Sequence, residues 1–504
     1  MPQFSKVGVV GVGAMGGGIV QMAAQAGADV VLFDARPGGA QAAVDRLGTT
    51  WDGLAAKGRM TAEAVAAAKA RLTPAASLAD LAGCDLVIEA IVEDLEVKRQ
   101  TFVALEAVVG PDCVLASNTS SLSVTAIAAA CARPERVAGY HFFNPVPLMK
   151  VVEVIDGART APGISGRLAA FARDYGHRPI TCIDSPGFVV NHAGRGFGTE
   201  ALQIVVAEGA ASYADVDRAL RDQAGFRLGP FELLDLTALD VSQPVGESMY
   251  RQFYGEPRFR PSWLLKQRLD AGLLGRKAGR GFYAHGPEGQ EKLPEQPVPK
   301  ADPRPVWVAA VEPAWRDEIV AIVKAAGWPV VSGPQPPDDA LIVVAPLGHD
   351  ATAAAEGLQV PANRLVAIDA LFGLGKRRVI MAPPGADPAF VEAAHALFAA
   401  DGTPVTRIHD SAGFIAQRVV ATIVNIASDM AQQRIASPAD IDDAVRLGLG
   451  YPQGPLAFGD AIGADRIAAI LAALGNLSGD PRYRPSPWLR RRASLGLKLT
   501  TAEA

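Results

Sequence analysis

Cysteine is scarce in this sequence and never falls in a metal-binding spacing: Cys84, Cys113, Cys131 and Cys182 stand far apart, with no CxxC among them. Neither a disulfide framework nor a structural zinc site is expected; the thiols are read as reduced and no metal is assigned. Long hydrophobic runs are also missing, so no membrane span is expected. Charge of one sign is not in excess, since 48 Lys and Arg against 53 Asp and Glu leave a net charge of −5. That balance argues against a nucleic-acid partner, although a local basic patch for a phosphorylated ligand is compatible with it. The first strand-like stretch begins at Lys6, which leaves no room for the basic, apolar and cleavage regions of a signal peptide, and a cytoplasmic location is the expectation.

What is present is length. At 504 residues, 49% hydrophobic and 20% charged, the chain is globular in composition and too long for one hydrophobic core; three or four domains are expected. Lys6-Val-Gly-Val-Val10 is a short apolar run, followed by glycine-rich sequence, an alanine-rich helical stretch from Ala14 to Ala26, a stop at Gly27 and a second run, Asp29-Val-Val-Leu-Phe33. This is a βαβ unit. Further strand-like runs at Cys84–Ala90, Cys113–Ala116, Val137–Phe142 and Val151–Ile155, with helical sequence between several of them, predict an α/β domain over residues 1–183 with a mainly parallel, doubly wound Rossmann-like sheet. From 184 to 284 the strand signals fade and an all-α domain is expected. Residues 285–305, including Lys292-Leu-Pro-Glu-Gln-Pro-Val-Pro-Lys300, read as a stiffened linker.

The second half then repeats the first in weakened form. Asp184-Ser-Pro-Gly-Phe188 returns as Asp410-Ser-Ala-Gly-Phe414, Gly225-Phe-Arg-Leu-Gly-Pro230 as Gly450-Tyr-Pro-Gln-Gly-Pro455, and Glu256-Pro-Arg-Phe-Arg-Pro261 as Asp480-Pro-Arg-Tyr-Arg-Pro485. Residues 306–408 are accordingly expected to form a reduced α/β domain without a glycine loop, and 409–504 a second helical domain.

Gly11-Val-Gly-Ala-Met-Gly16 lies between a strand and a helix, where Gly11, Gly13 and Gly16 permit a tight turn and let the helix N-terminus approach a pyrophosphate. Asp34 ends the second strand, where an acid binds the ribose 2′-hydroxyl, so NAD is the expected cofactor. Arg36 nearby keeps NADP open as the alternative. His141 falls at the end of an apolar strand, at the sheet edge where doubly wound folds bind ligands, and an imidazole there exchanges protons near neutral pH. Glu153 interrupts the apolar run Val151–Ile155, where a buried carboxylate needs a partner such as a histidine; an outward-facing Glu is an equally good reading of the residue alone.

The runs Asp85–Glu93, Ser117-Asn-Thr-Ser-Ser121, His141-Phe-Phe-Asn-Pro-Val-Pro147, Asp184–Asn191 and Gly275–Tyr283 resemble, in order and spacing, the 3-hydroxyacyl-CoA dehydrogenase family over residues 5 to 283. The duplicated arrangement is similar to the bacterial members of the phenylacetate-degradation type. The resemblance implies oxidation of a (3S)-3-hydroxyacyl-CoA by NAD, with 3-hydroxyadipyl-CoA or 3-hydroxybutyryl-CoA as substrate. It implies His141 as general base, Glu153 as its orienting carboxylate, and Ser120 and Asn191 as hydrogen-bonding groups at the reacting oxygen. It also implies Glu93 and Lys98 near the cofactor, Lys57 near the CoA phosphates, and a homodimer. Read without it, Ser120 is a turn serine, Asn191 a helix-start amide, and Glu93 and Lys98 a solvated pair.

Aligned on its repeats, the second half sets Asp369 opposite His141, Met381 opposite Glu153 and Gln417 opposite Asn191, so one active site per chain is expected. Two other classes fit parts of the pattern: a β-hydroxyacid dehydrogenase with a lysine acid/base, and an inactive nucleotide-binding scaffold.

Overall fold

A computed structural model describes residues 3–503. The first sheet has eight strands: β1 (Lys6–Val10), β2 (Asp29–Phe33), β3 (Leu72–Pro74), β4 (Leu86–Glu89), β5 (Val114–Ser117), β6 (Val137–Phe142), β7 (Val151–Asp156) and β8 (Arg178–Ile183), in the order β3-β2-β1-β4-β5-β6-β7-β8. Every pairing is parallel except β6 with β7. Both faces are covered, which explains runs that are apolar at every position rather than at alternate ones. Val7, Val9, Leu86 and Ile88 enter one core with Ile19, Trp51 and Phe171. Val10, Val87 and Leu115, pointing the other way, enter a second core with Phe102, Leu105 and Ile127.

The single antiparallel pairing is what the sequence reading lacked. Only the segment between Phe142 and Val151 joins β6 to β7, and it is too short for a crossover helix, so the chain has to turn back beside itself. One consequence is that His141 stands directly across from Glu153.

Two compact units make up the chain: residues up to His192 with Gln433–Leu449, and Ala193–Gln432 with the residues from Gly450 on. In the first unit, the helix Pro438–Leu449 packs on the edge of the first sheet, where Arg178 bonds Asp440 (2.8 Å) and Asp443 (2.9 Å). The helix Val190–Leu202 begins in the first unit and continues unbroken.

Within the second unit, the segment read as a linker opens with a short hairpin, β9 (His285–Gly286) and β10 (Gly289–Gln290). Its extended remainder is fastened rather than free. Arg218 donates to the carbonyl of Pro294 (2.9 Å), Arg377 pairs with Glu295 (2.8 Å), and the amide of Gln296 bonds both backbone groups of Arg407. The second sheet follows: β11 (Val306–Ala310), β12 (Val330–Val331), β13 (Leu341–Ala345), β14 (Leu365–Ile368), β15 (Arg378–Met381) and β16 (Val405–Ile408), in the order β12-β11-β13-β14-β15-β16, again with one antiparallel pair, β14 with β15.

Its register corrects one alignment. Ala367 faces Met381 and Ile368 faces Ile380, and the Asp369 N–H donates to the Val379 carbonyl (3.0 Å). Val379, not Met381, therefore stands where Glu153 stands in the first half. The turn between the two strands is effectively two residues shorter in the second copy, which shifts the offset between repeats. Asp369 is instead sealed in with Gln417, whose Nε2 donates to Oδ1 (2.9 Å), while Oδ2 is buried without a partner.

The helical repeats of the second unit meet like with like. Gly196 lies against Ile426 of the helix Ala416–Gln432 so closely that a Cβ would come within 2.8 Å of Ile426 Cδ1. Arg418 forms a buried ion pair with Glu200 and another with Glu208 (2.6 Å). The repeated loops also face each other: Arg258 donates to the carbonyls of Arg482 (3.2 Å) and Arg484 (2.8 Å), and Arg484 pairs with Glu256 (2.6 Å).

Burial raises the Asp369 carboxyl from 3.8 to about 6. A raised folded-state pKa gives stability that is complete below the unfolded value and lost as pH rises through about 6, so near pH 8 the fold carries the full cost of charging this group. Asp369→Asn is expected to stabilise the protein at pH 8 by roughly 2–3 kcal/mol and to lose that gain below about pH 4. Thermal denaturation at both pH values checks this; an equal effect at both would show that the charge is irrelevant.

Candidate active site

The turn from β1 into the helix Ala14–Gln25 explains each glycine of the first motif. Gly11 has φ +86°, a conformation that side chains disfavour, and a Cβ there would lie 2.7 Å from the Ala90 carbonyl oxygen. At Gly16 a Cβ would collide with the Gly11 oxygen at 1.8 Å. A Cβ on Gly13 would meet nothing within 4 Å, and this glycine leaves an open cradle at the helix N-terminus, where a pyrophosphate fits. Asp34 locks the loop from the end of β2: its carboxylate accepts from the Val12 N–H (3.1 Å) and from Arg36 Nε (2.9 Å) and Nη2 (3.0 Å), contacts that hold it well below the usual carboxylate range. Arg36 itself is largely exposed and turned onto Asp34.

Across the sheet, His141 Nδ1 lies 2.6 Å from Glu153 Oε2. Glu153 is fully buried, and its other oxygen accepts from the N–H groups of Val189 (2.9 Å) and Val190 (2.8 Å), the amides that open the helix Val190–Leu202. An acceptor-only carboxylate at a helix N-terminus is favourably placed. The preceding turn delivers these amides by holding both Gly187 (φ 75°) and Phe188 (φ 49°) in the left-handed region. His141 Nε2 has no protein partner among the described residues, and the ring is walled by Phe143 (4.5 Å between centroids) and Phe188 (5.9 Å). The imidazole thus has one nitrogen fixed and one free to exchange a proton.

Asn191 is the next residue of that helix after Val190. Ser120 sits in the loop after β5, where its N–H donates to Glu93 Oε1 (3.0 Å). The same oxygen takes the N–H of Ser121 (3.0 Å) and the hydroxyl of Thr119 (2.7 Å), so Glu93 moulds the whole serine loop. Lys98 differs from the solvated reading: it is 1% exposed, with its ammonium on Glu89 (2.6 Å) and Glu93 (3.3 Å). Glu89, absent from the sequence-derived site, in turn accepts from the Ser117 hydroxyl (2.7 Å). Its position at the end of an apolar strand is the same signal that marked Glu153.

A groove of about 610 Å³ runs along the helix Ala14–Gln25 beside Gly13, Gln21 and Val146, and its cations are Arg46 and Lys150. Lys57 does not line it and stands exposed at the end of the helix Gly39–Ala56. A larger cavity, about 790 Å³, lies in the second unit and contains none of the predicted site residues, so size does not mark the site. The four cysteines are free and buried, burial pushing Cys84 up to about 11 and Cys113 up to about 12. No group of three metal-ligating side chains occurs among the described residues, and no helix among them is long and apolar enough to cross a membrane.

The sequence model of "3-hydroxyacyl-CoA dehydrogenase, NAD binding domain" matches residues 6–185, and that of the family's C-terminal domain matches twice, at 187–285 and 413–503. The chain is 37% identical to the 3-hydroxyadipyl-CoA dehydrogenase of Escherichia coli K12, over 98% of each chain. It is 41% identical to a probable 3-hydroxybutyryl-CoA dehydrogenase of Deinococcus radiodurans, over 56% of this chain and all of that one. A crystal structure of a protein named 3-hydroxybutyryl-CoA dehydrogenase, from E. coli K12, superposes with a TM-score of 0.84 at 36% identity, covering 98% of both. With a dinucleotide loop, a buried His–Glu pair and a duplicated helical module on one chain, this protein belongs to the 3-hydroxyacyl-CoA dehydrogenase family of NAD-dependent oxidoreductases.

Proposed function

We propose that His141 Nε2 removes the proton from the 3-hydroxyl of a (3S)-3-hydroxyacyl-CoA. The observation carrying this reading is the 2.6 Å contact of Nδ1 with a carboxylate that is itself fixed by two helix amides. Glu153 orients the ring and supports the imidazolium that forms as the proton arrives. Ser120 and Asn191 hold the reacting oxygen by hydrogen bonds, which gives proximity and charge stabilisation. Gly11, Gly13, Gly16 and Asp34 cradle NAD, which when bound accepts the hydride from C3. Glu93 and Lys98 support it from the far side of the serine loop. Because Asp34 already occupies Arg36, a 2′-phosphate would meet a carboxylate before a free cation.

The substrate proposed is 3-hydroxyadipyl-CoA, on the strength of a relative of that name matched from end to end. 3-Hydroxybutyryl-CoA is the second reading, favoured by the name of the superposed E. coli protein. Arg46 and Lys150 are better placed than Lys57 to meet CoA phosphates along the helix groove. The working modules are residues 1–183 for the cofactor, 184–284 and 409–504 as helical domains, 285–305 joining the halves and 306–408 as the reduced α/β domain, in a cytoplasmic enzyme. A homodimer would need a surface other than the one between the helical repeats, which is filled within the chain.

Oxidation of the two hydroxyacyl-CoA substrates, followed by NADH absorbance, tests the reading; no turnover with either, despite NAD binding, would refute it. His141→Ala is expected to lower kcat by at least about 10³-fold while NADH affinity, measured by fluorescence titration, stays within about twofold because the glycine loop is untouched. Gly13→Ala should fold normally and weaken NAD binding about tenfold or more, whereas Gly16→Ala should lower the melting temperature outright, since its Cβ meets backbone. Equal effects of the two glycine changes on stability would contradict the assignment.

A further inference from the structure

The run Val405-Thr-Arg-Ile-His409 forms and leaves β16, the edge strand of the second sheet. Alternation along an extended strand puts Val405, Arg407 and His409 on one face. Val405 enters the core with Ala394 and Phe398 of the helix Pro388–Ala399. Arg407 and His409 continue past that cover and stand exposed on the wall of the cavity of about 790 Å³. Every residue lining this cavity belongs to the second unit. The repeat offset that pairs Asp184 with Asp410 sets Thr181 and Ile183 opposite Arg407 and His409, so both cationic side chains belong to the second copy alone.

Two acids share the lining, and both are already engaged. Asp410 accepts from the N–H of Ala351 (2.7 Å) and from the N–H (3.1 Å) and hydroxyl (2.5 Å) of Thr352. Asp215 accepts from the Ser212 hydroxyl (2.7 Å) and from Arg218 (3.3 Å). Among the described residues, by contrast, neither the Arg407 guanidinium nor the His409 imidazole meets a hydrogen-bonding or charged partner. The strand that carries them is held still, because the Gln296 amide bonds both backbone groups of Arg407. Behind the wall, one turn along the helix from the lining residue Val391, His395 is 3% exposed and its Nε2 bonds nothing. Burial and the charge of Arg407 hold that imidazole below its ordinary pKa. The hydrogen-bonding capacity left over in the cavity is therefore donor capacity, which suits an anion. A carboxylate would be satisfied by the guanidinium fork alone, whereas the three oxygens of a phosphate use the imidazole as well. The remaining lining, with Val205, Pro384 and Val391, is apolar, and the volume falls in the range of sites for whole small molecules rather than for bare ions.

We propose that this cavity is a second ligand site, in which Arg407 and His409 hold the phosphate of a nucleotide-sized phosphate monoester and the apolar wall receives its body. The site stands within the second unit and does not depend on the chemistry proposed for the first.

Calorimetric titration of the full-length protein with adenosine 5′-monophosphate tests this, with NADH present at saturation so that the dinucleotide cradle is filled. The nucleotide should bind, adenosine should bind at least about tenfold more weakly, and Arg407→Ala should weaken the nucleotide by a similar factor. Arg407→Lys should restore part of the loss, and His409→Ala should cost about fivefold. Both side chains are exposed, so the variants should keep the melting temperature and NADH affinity of the unmodified protein. Nucleotide binding that Arg407→Ala leaves intact, or no binding by the unmodified protein, overturns the site. Loss on Arg46→Ala instead would put the nucleotide in the groove of the first unit and overturn it equally. Hexanoate that binds through Arg407 where the nucleotide does not would overturn the assignment to phosphate.

Discussion

The candidate site of the first unit hangs on one buried carboxylate. Glu153 sits in the middle of an apolar strand, and its two oxygens collect a histidine from the neighbouring strand and two amides from the start of a helix. A charge-bearing group in such a position is tolerable only when fully bonded. It is therefore also rigid, because each donor fixes the others. The imidazole cannot rotate without breaking a contact as short as 2.6 Å. The helix cannot shift without uncovering the carboxylate, so Asn191, one residue past the bonded amides, is placed by the same anchor.

The arrangement depends on a reversal of direction in the sheet. In an all-parallel sheet His141 and Glu153 would belong to strands joined by a helix, and nothing in their spacing would bring them level. The turn back at Asn144–Lys150 makes them cross-strand neighbours, and the left-handed pair Gly187 and Phe188 then turns the chain so that its amides meet the same carboxylate. Both devices recur in the second half, at the β14–β15 pairing and at Gly413 and Phe414. There the scaffold persists while Val379 and Asp369 occupy the two positions. The result is a closed polar contact with Gln417 instead of a site.

Much of this was legible in the residues. Apolar runs, glycine spacing and Asp34 defined the cofactor half, because backbone approach to a phosphate makes demands that only glycine meets. The three repeated motifs exposed the duplication. What escaped was set by tertiary geometry. A short connection between two strands gave no prior reason to prefer one pairing over another, so the antiparallel step and the two-residue slip from Met381 to Val379 were hidden. Lys98 reads as a surface residue because lysines usually are; its burial depends on Glu89, which looks like one more strand residue until the serine loop folds over it. The proline-rich segment after the hairpin reads as a spacer, and only Arg218, Arg377 and Gln296 make it part of a packed unit.

The facing of one helical repeat upon the other has a consequence for dilution. Two surfaces carried by separate molecules part when the solution is made thin enough, but two surfaces on one chain meet at an effective concentration set by the tether between them. The contacts of Glu200, Glu256, Arg258, Arg418 and Arg484 are of this tethered kind, so the helical scaffold does not depend on how many copies of the protein a cell contains. The second half supplies that permanent companion surface, with Val379 and Asp369 standing where the first half has Glu153 and His141.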